Sequence, residues 1–288
     1  MQLGTIIEYG VNGLQAGLLL FVVSAGLTLS FGLMRVINMA HGSFYMVGAF
    51  VGLQVALLTG SFVLGLAASA AGAAVAGFVV ERALFRRLYH RGPFAQVLVS
   101  FGLIFVLDEL VRIIWGGDIR SLPRPAALSQ TYEFAGAHLE GYRLFLIAFG
   151  AVLSAGLLWG LVKTPLGIDI RAAVDDRESA ELLGLNVRKL FTIVFFVGSA
   201  LAGMAGFVAI PLVNAFPGMG DDVLISALIV VVLGGLGSVL GSLLASLLIG
   251  FALMFGQIYF AGYAPAAMYL ALAVVLLVRP LGLLGRPE

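Results

Sequence analysis

Long stretches without a charged side chain divide the sequence into segments of the length that crosses a lipid bilayer. About 20 consecutive apolar residues let a helix cross the hydrocarbon core. Residues 9–34 contain no Asp, Glu, Lys or Arg, and residues 36–80 contain none either. The second stretch is long enough for two spans joined by a turn near Gly60. The pattern predicts membrane spans at 9–34, 42–59, 61–80, 93–115, 143–162 and 190–211, the last ended by Pro211.

The C-terminal part of the pattern leaves two alternatives open. Residues 223–278 contain no Asp, Glu, Lys, Arg or His. They are long enough for two tilted spans, or for three segments if the glycine-rich run 234–237 interrupts the first. Because each glycine destabilises a helix by about 1 kcal/mol relative to alanine, this run favours a break. The prediction is therefore about eight transmembrane helices, or nine segments with a broken helix.

Composition confirms that lipid, and not water, covers most of this protein. The 288 residues are 61% hydrophobic and only 11% charged, whereas a soluble domain carries about 25% charged residues. The mean hydropathy is +1.10. We therefore expect an all-α membrane protein, a polytopic helical bundle forming a single transmembrane domain over residues 1–288. A net charge of +1 gives no argument for nucleic acid, and the absence of cysteine excludes disulfides and thiolate metal sites.

Basic residues in two loops predict the orientation in the membrane. Loop 81–91 carries four arginines, and loop 163–189 carries five lysines and arginines. Short loops rich in Lys and Arg face the cytoplasm. Since two predicted spans separate these loops, both lie on the cytoplasmic side, with the N-terminus and loops 116–142 and 212–222 outside.

Loop 163–189 is the most informative polar segment, and we call it the coupling segment. It is longer than the 2–8 residues that usually join neighbouring helices. Asp169 is a plausible N-cap, Gly184 a plausible C-terminal stop, and Arg177 and Glu181 are spaced to form an ion pair. The pattern predicts a short amphipathic cytoplasmic helix. An interfacial helix on lipid is the alternative, but its acids equal its bases in number, which favours a protein partner.

Three groups of residues resemble a known family of permeases. Gly167, Arg171, Ala172, Asp175, Ala180, Gly184 and Asn186 resemble the cytoplasmic motif of permeases in bacterial ABC importers. The segment 26–32 followed by 38–42, and the run 234–238 with Gly241, resemble the two signatures of branched-chain amino-acid permeases of the LivH type. The stretch 95–102 is a looser match. The resemblance extends over nearly the whole length, in matching order.

The resemblance implies a transport subunit that is not itself an enzyme. The chain would pair with a second homologous permease, two cytoplasmic ATP-binding subunits and a periplasmic binding protein in the bacterial inner membrane. It would carry leucine, isoleucine and valine inward; urea or short amides are the alternative substrates. The sequence agrees on one point, since neither of its two lysines follows a glycine-rich phosphate loop. The residues implied to couple to the ATPases are Gly167, Arg171, Asp175, Asp176, Glu178, Ala180, Gly184 and Asn186.

Two polar or glycine-rich interruptions are candidates for the substrate path. Asn38 and His41 lie between two apolar runs, and they form either a broken-helix segment facing the path or an ordinary interfacial loop. Residues 234–237 form either an unwound break with free backbone groups or a helix-packing seam. The candidate substrate-path residues are Asn38, His41, Gly42, Gly234, Gly235, Gly237 and Ser238.

Two other classes of function fit the residues less well. An ion-coupled secondary transporter usually carries a carboxylate in mid-membrane, but only the fourth predicted span contains Asp or Glu, near one end. An intramembrane enzyme would need a nucleophile with a base, or a set of metal ligands. The sequence has neither G-x-S-x-G nor H-E-x-x-H, and we expect no metal and no cofactor.

Overall fold

Helices cover nearly all of the chain that the computed structural model describes, namely residues 3–34, 36, 38–89, 91–259 and 264–285. Each predicted span is a helix, with ends that differ from the prediction by only a few residues at most positions. The helices before the central loop are α1 (Leu3–Met34), α2 (His41–Thr59), α3 (Phe62–Val80), α4 (Arg86–Leu88) and α5 (Pro93–Trp115). A π-helical turn, Glu81–Phe85, joins α3 to α4. The helices after it are α6 (Gly141–Lys163), α7 (Pro165–Asp175), α8 (Arg177–Leu182), α9 (Val187–Val213), α10 (Met219–Gly234), α11 (Val239–Tyr259) and α12 (Ala264–Val278).

Within the described ranges, six helices have the length and hydropathy of a membrane span: Leu3–Gly32, His41–Thr59, Phe62–Leu88, Gly141–Lys163, Val187–Val213 and Val239–Ile258. The shorter apolar helix Pro265–Val278 adds to them. Residues 223–278 therefore form three helices, which is the alternative with an interruption near 234–237. Pro211 does not end the sixth predicted span, because α9 continues through it to Val213. Pro211 lacks only its own N–H, and the helical hydrogen bonds continue beyond it to the Asn214 N–H, which donates to the Ile210 carbonyl at 2.8 Å.

The chain divides into two compact units. Unit 1 comprises Met1–Ser24, Arg124–Leu158 and Ala227–Glu288. Its buried core lies between α10 and α11, around Val230, Leu233 and Ile249, with Leu20 of α1 packed against it. A small residue permits α1 and α11 to pack closely, since a Cβ on Gly13 of α1 would overlap Phe251 of α11.

Unit 2 comprises Ala25–Pro123 and Trp159–Ser226. Helices α2, α3 and α9 pack against one another in its centre. Gly48 of α2 and Gly203 of α9 bring their backbones into van der Waals contact: a Cβ on Gly48 would overlap Gly203, and a Cβ on Gly203 would overlap Ala73 of α3. Such small-residue contacts drive helix association in membranes, where the hydrophobic effect does not.

A short β-hairpin interrupts the helical pattern, and it was not predicted. Strands β1 (Thr131–Phe134) and β2 (Ala137–Glu140) pair antiparallel. The two turn residues, Ala135 and Gly136, both have positive φ, at 50° and 79°, as a two-residue hairpin turn requires. In unit 1, the Glu8 carboxylate near the start of α1 accepts the His138 N–H at 2.6 Å. The N-terminus and loop 116–142 therefore lie on the same side, as predicted.

Candidate functional site

The polar break, residues 38–41, separates α1 from α2 and is buried in unit 2. The Asn38 and His41 side chains are only 1% and 3% exposed. The Asn38 Oδ1 accepts the Ala40 N–H at 3.0 Å, and the Asn38 carbonyl accepts the His41 N–H at 3.3 Å. The break therefore satisfies much of its own backbone, as buried irregular backbone within a membrane protein must.

Ser100 of α5 holds the polar break from the other side. Its Oγ accepts the Met39 N–H at 3.1 Å, and the serine is fully buried. Sequence reasoning did not single out Ser100, although it lies in the 95–102 stretch that resembles the family. The signal available in the sequence was that Ser100 is the only hydroxyl side chain between Pro93 and Trp115.

The N-terminal ends of α2 and α10 meet beside the polar break. A Cβ on Gly42, in the first turn of α2, would overlap the carbonyl of Gly220 in the first turn of α10. The Gly218 N–H also points at the Met46 sulfur, 3.3 Å away. Each helix N-terminus carries a partial positive charge from its free N–H groups. At α10 this end already carries two acidic side chains, Asp221 and Asp222, in the first turn.

The predicted loop 212–222 is shorter in the structure, because α9 ends at Val213 and α10 begins at Met219. Ala215 pairs with Arg120 through two backbone hydrogen bonds of 2.8 and 2.7 Å, so the beginning of the loop lies beside loop 116–142, as expected for two loops on one side. The residues after Ala215 do not stay there. They lead to the start of α10, where Gly220 lies against Gly42 at the start of α2 and the two glycines let the backbones touch.

The glycine-rich run in unit 1 is a break between two helices. Helix α10 ends at Gly234, and α11 begins at Val239. Gly235 and Gly237 have φ values of 96° and 80°, which side chains other than glycine rarely adopt. The Ser238 hydroxyl accepts the Gly241 N–H at 3.1 Å and so begins the next helix. Of the two interpretations of this run, the structure therefore shows the break and not a continuous helix with a packing seam.

The backbone groups of this break are partly occupied. The Leu283 N–H donates to the Leu233 carbonyl at 2.8 Å, and the Leu284 N–H donates to the Gly234 carbonyl at 3.1 Å. Residues after α12 therefore cap the C-terminal end of α10. These two carbonyls are engaged by protein in this conformation, so any role for them in substrate contact requires the C-terminal segment to move.

The coupling segment contains two short helices, α7 and α8, where the sequence predicted one. Thr164, and not Asp169, is the first N-cap: its Oγ1 accepts the Gly167 N–H at 3.1 Å. Thr164 precedes Pro165, which suits the first helical position, and this places Asp169 inside the first helix. Asp176 then separates α7 from α8, with an extended backbone at φ −151°.

Gly167 and Arg171 fix α7 against the end of α6. A Cβ on Gly167 would overlap the carbonyls of Gly160 and Leu161. The Arg171 guanidinium donates to the Leu161 carbonyl, which is one of the free carbonyls at the C-terminal end of α6. Both predicted residues therefore attach the coupling segment rigidly to the membrane helix that precedes it.

Asp176 is the N-cap of α8. Its carboxylate accepts the Ser179 N–H at 3.1 Å and the Ser179 hydroxyl at 2.5 Å. The hydrogen bonds from Ser179 hold the pKa of Asp176 below its ordinary value. Arg177, the first residue of α8, pairs with Glu181 at 3.0 Å, as the spacing predicted.

Gly184 ends α8, as predicted, and Asn186 begins α9. Gly184 has a φ of 87°. Its N–H bonds the Glu181 carbonyl at 3.1 Å, and the Leu185 N–H bonds the Ala180 carbonyl at 3.0 Å, the pattern of a glycine C-cap. The Asn186 Oδ1 then accepts the Lys189 N–H at 3.0 Å.

The outer surface of the coupling segment combines charge with exposed leucines. Asp175, Asp176 and Glu178 are exposed, whereas Ala180 is buried at 3%. At the end of α8, Leu182 and Leu183 are 83% and 84% exposed. The sequence suggested a modest apolar stripe, but it did not indicate that its leucines protrude together at the tip.

The two basic loops pack against the same ring of α9, as the orientation predicts. The Arg177 guanidinium lies over the Phe191 ring, 4.9 Å from its centroid. Tyr89, from loop 81–91, packs edge-on against the same ring at 4.9 Å. Loops 81–91 and 163–189 therefore lie on one side of unit 2.

The chain resembles known permeases over nearly its entire length. It is 30% identical to the high-affinity branched-chain amino acid transport system permease protein BraD of Pseudomonas aeruginosa, over 96% of this chain and 95% of that protein. It is 27% identical to the corresponding permease protein LivH of Escherichia coli, over 96% and 94%. A second Escherichia coli permease protein, LivM, is 29% identical over 64% of this chain and 48% of its own length.

A solved structure shares the fold. The likeness is to a chain described as PsaBC from Streptococcus pneumoniae in complex with Fab, with a TM-score of 0.50 and 12% identity over 93% of this chain and 89% of that one. The family model described as "Branched-chain amino acid transport system / permease component" matches residues 9–279. This multi-pass membrane protein, a transport subunit and not an enzyme, therefore belongs to the family of branched-chain amino acid transport permeases.

Proposed function

We propose that this chain is one of two related permease subunits of an ATP-driven importer in the bacterial inner membrane. It works as a single transmembrane domain, residues 1–288, and carries leucine, isoleucine and valine into the cell. The names of the relatives support these substrates over urea or short amides. LivM, which resembles this chain and bears a different name, supports a related second permease as the partner.

The exposed tip of the coupling segment carries this proposal. Leu182 and Leu183 are more than four-fifths exposed, at the end of a helix attached rigidly to α6 and α9. Burying one leucine stabilises a complex by about 1.5–3 kcal/mol. A groove on a cytoplasmic ATPase is the partner that fits these two leucines, with the charged residues around them forming the rim of the interface. A periplasmic binding protein would dock on the opposite side.

The polar break and the start of α10 form the first part of the proposed substrate path. Asn38, His41 and Gly42 lie where two helix N-termini converge, and such discontinuous helices form the substrate sites of many transporters. The second part is the glycine-rich break with Gly234, Gly235, Gly237 and Ser238. Its positive-φ glycines permit a backbone rearrangement when the transporter changes state.

Replacing Leu182 and Leu183, which we call the leucine tip, tests the proposal. In the variant with Leu182→Ser and Leu183→Ser, we expect the two ATPases to separate from the permease during purification, since the loss of two buried leucines weakens docking by about a hundredfold. ATP-driven uptake of labelled leucine into proteoliposomes should fall with it. The measurement is co-purification of ATPase through a tag on this chain, followed by uptake with and without ATP.

Leu58→Ser is the matched control. Leu58 is 74% exposed, at the far end of α2, and its substitution should leave both ATPase binding and uptake unchanged. Full ATPase binding by the double variant would contradict the docking role. Uptake by the purified chain alone, driven by an ion gradient and indifferent to ATP, would instead identify a secondary transporter.

A further inference from the structure

A buried carboxylate lies at the cytoplasmic end of α3, within the π-helical turn. Glu81 is the first residue of this turn and is only 1% exposed. The Arg86 N–H bonds the Glu81 carbonyl, which closes the wider π-type ring. Such turns are rare and occur frequently at functional sites. Neither the predicted spans nor the proposed substrate path gives Glu81 a role.

Two hydroxyl groups from different parts of unit 2 hold the Glu81 carboxylate. Oε1 accepts the Tyr89 hydroxyl at 2.8 Å, and Oε2 accepts the Thr192 hydroxyl at 3.1 Å. Burial, together with the neighbouring carboxylate, raises the pKa of Tyr89, so the phenol keeps its proton for this bond. We call Glu81, Tyr89 and Thr192 the Glu81 anchor. It connects the π turn to α9.

The Glu81 anchor adjoins the coupling segment. The Tyr89 ring packs against Phe191 of α9, and the guanidinium of Arg177, at the start of α8, lies over the same Phe191 ring. Gln96 of α5 steadies the loop that carries Tyr89, because its amide donates to the carbonyls of Leu88 and Arg91 at 3.2 Å each. A displacement of α8 therefore acts on Phe191 through Arg177, and on Tyr89 through Phe191.

Buried aromatic rings continue from the π turn to the polar break. Phe85, the last residue of the turn, packs on Phe195 of α9 with ring centroids 5.3 Å apart. Phe195 contacts Phe44 of α2 at 5.7 Å, and Phe44 lies edge-on to His41 at 6.4 Å. Phe191 and Phe195 are one turn apart on α9, so the same helix face receives both the coupling segment and the π turn.

We propose that Glu81 is a positioning residue for the coupling of ATP hydrolysis to transport. The anchor holds the turn in its π register, which directs Phe85 against Phe195. If the anchor opens, the turn relaxes to the α-helical register. Phe85 then turns away from the Phe195 ring, by about the angle between successive residues of a helix. The π turn is thus a two-state element between α8 and the polar break. This inference rests on the proposed function for the identity of the motor.

Hydrogen exchange of the polar break tests the anchor without relying on transport. In Tyr89→Phe, which removes one bond to Glu81 but keeps the ring, amides of residues 38–43 should exchange at least about fivefold faster than in the unmodified protein. Arg177→Gln should have the same direction of effect. Arg82→Gln is the matched control, since Arg82 also lies over a phenylalanine, Phe78 at 5.2 Å, but on the exposed side of the π turn.

The second arm measures the leucine molecules transported per ATP hydrolysed by the purified complex in proteoliposomes. Thr192→Val and Tyr89→Phe should lower this ratio at least about fivefold while ATP hydrolysis continues. Thr192→Ser, which keeps the hydroxyl, should restore the ratio. Glu81→Gln should resemble Thr192→Val, and the two hydroxyl variants test the proposal even if Glu81→Gln does not fold.

Unchanged exchange in residues 38–43 for both Tyr89→Phe and Arg177→Gln would overturn the inference. So would a transport ratio that stays constant while activity falls only with the amount of folded protein, because that is the behaviour of a purely structural residue. Absence of ATP-driven leucine uptake by the unmodified complex would count against the proposed function, and the exchange result would still decide the role of the anchor.

Discussion

Gly160 and Gly167 lie on either side of the junction between α6 and α7, but a methyl group would meet different surroundings at the two positions. At Gly160 it would enter open space. At Gly167 it would overlap two carbonyl oxygens of the preceding helix, at Gly160 and Leu161. The resemblance to permeases selected Gly167 and not Gly160, and the contact gives the physical reason.

We expect Gly167→Ala to destabilise the packing of α7 on α6 by about 1–3 kcal/mol, the usual cost of overpacking. Because α7 joins the rest of the coupling segment to α6, the substitution should clearly reduce ATP-driven uptake. The melting temperature of the whole protein should change only slightly. Uptake in proteoliposomes and thermal unfolding in detergent measure the two effects.

Gly160→Ala is the control for this prediction. It replaces a glycine inside a helix, where alanine is favoured by up to about 1 kcal/mol, so stability should stay equal or rise and uptake should not change. Equal effects of the two substitutions would show that helix propensity, and not the close approach of α7, governs this junction.

The candidate residues differ in how far sequence alone reveals them. Asn38 and His41 are visible because polar side chains interrupt two apolar runs. Ser100, Gly220 and Glu81 are not, since each has a partner 61 or more positions away, namely Met39, Gly42 and Thr192. A single sequence contains no record of which distant residues meet.

At the scale of single elements, α8 depends on its N-cap. The pKa of Asp176 is lower in the folded protein than in an unfolded chain, where it is about 3.9. Its stabilising contribution is therefore fully present above that unfolded value and is lost as pH falls through the folded pKa. We expect the Asp176 carboxyl to titrate below the range of an ordinary aspartate, as measured by carbon NMR of protein labelled at aspartate.

Ser179→Ala supplies the comparison for this titration. It removes the hydroxyl that donates the shorter bond, so the midpoint for Asp176 should move upward toward the ordinary value. A midpoint that is unaffected by Ser179→Ala would mean that the α8 backbone, and not the serine hydroxyl, stabilises the carboxylate. Asp176→Asn, which removes the charge, identifies the signal.

Helices were predicted well and their interruptions less well, for one physical reason. A membrane span needs an apolar surface along its whole length, so gaps between charged residues locate it. Turns and caps depend on a few atoms: the helix begins at Thr164, which accepts the Gly167 N–H, and not at Asp169. Ala135 and Gly136 form a hairpin turn in a loop for which the sequence predicted no strands. The π turn at Glu81 has no periodic signal at all.

At the scale of the whole molecule, the basic residues and the contacts agree on which loops share a side. The contact of Tyr89 with Phe191 joins loops 81–91 and 163–189, and the bond from His138 to Glu8 joins loop 116–142 to the N-terminus. Contacts alone do not identify the cytoplasm. That assignment depends on the excess of lysine and arginine in the first pair of loops.

The absence of native cysteine makes this assignment directly testable. Ser121→Cys and Glu178→Cys each introduce a single thiol at an exposed position, the first in loop 116–142 and the second on α8. In intact cells, a membrane-impermeant maleimide should label the first variant only, and the second should react after permeabilisation. Because Glu178 is itself a proposed coupling residue, thermal unfolding in detergent, and not uptake, establishes that both variants are folded. Labelling of Glu178→Cys in intact cells would place α8 outside, where no ATP-hydrolysing subunit can reach it, and the leucine tip would then have to contact the binding protein instead.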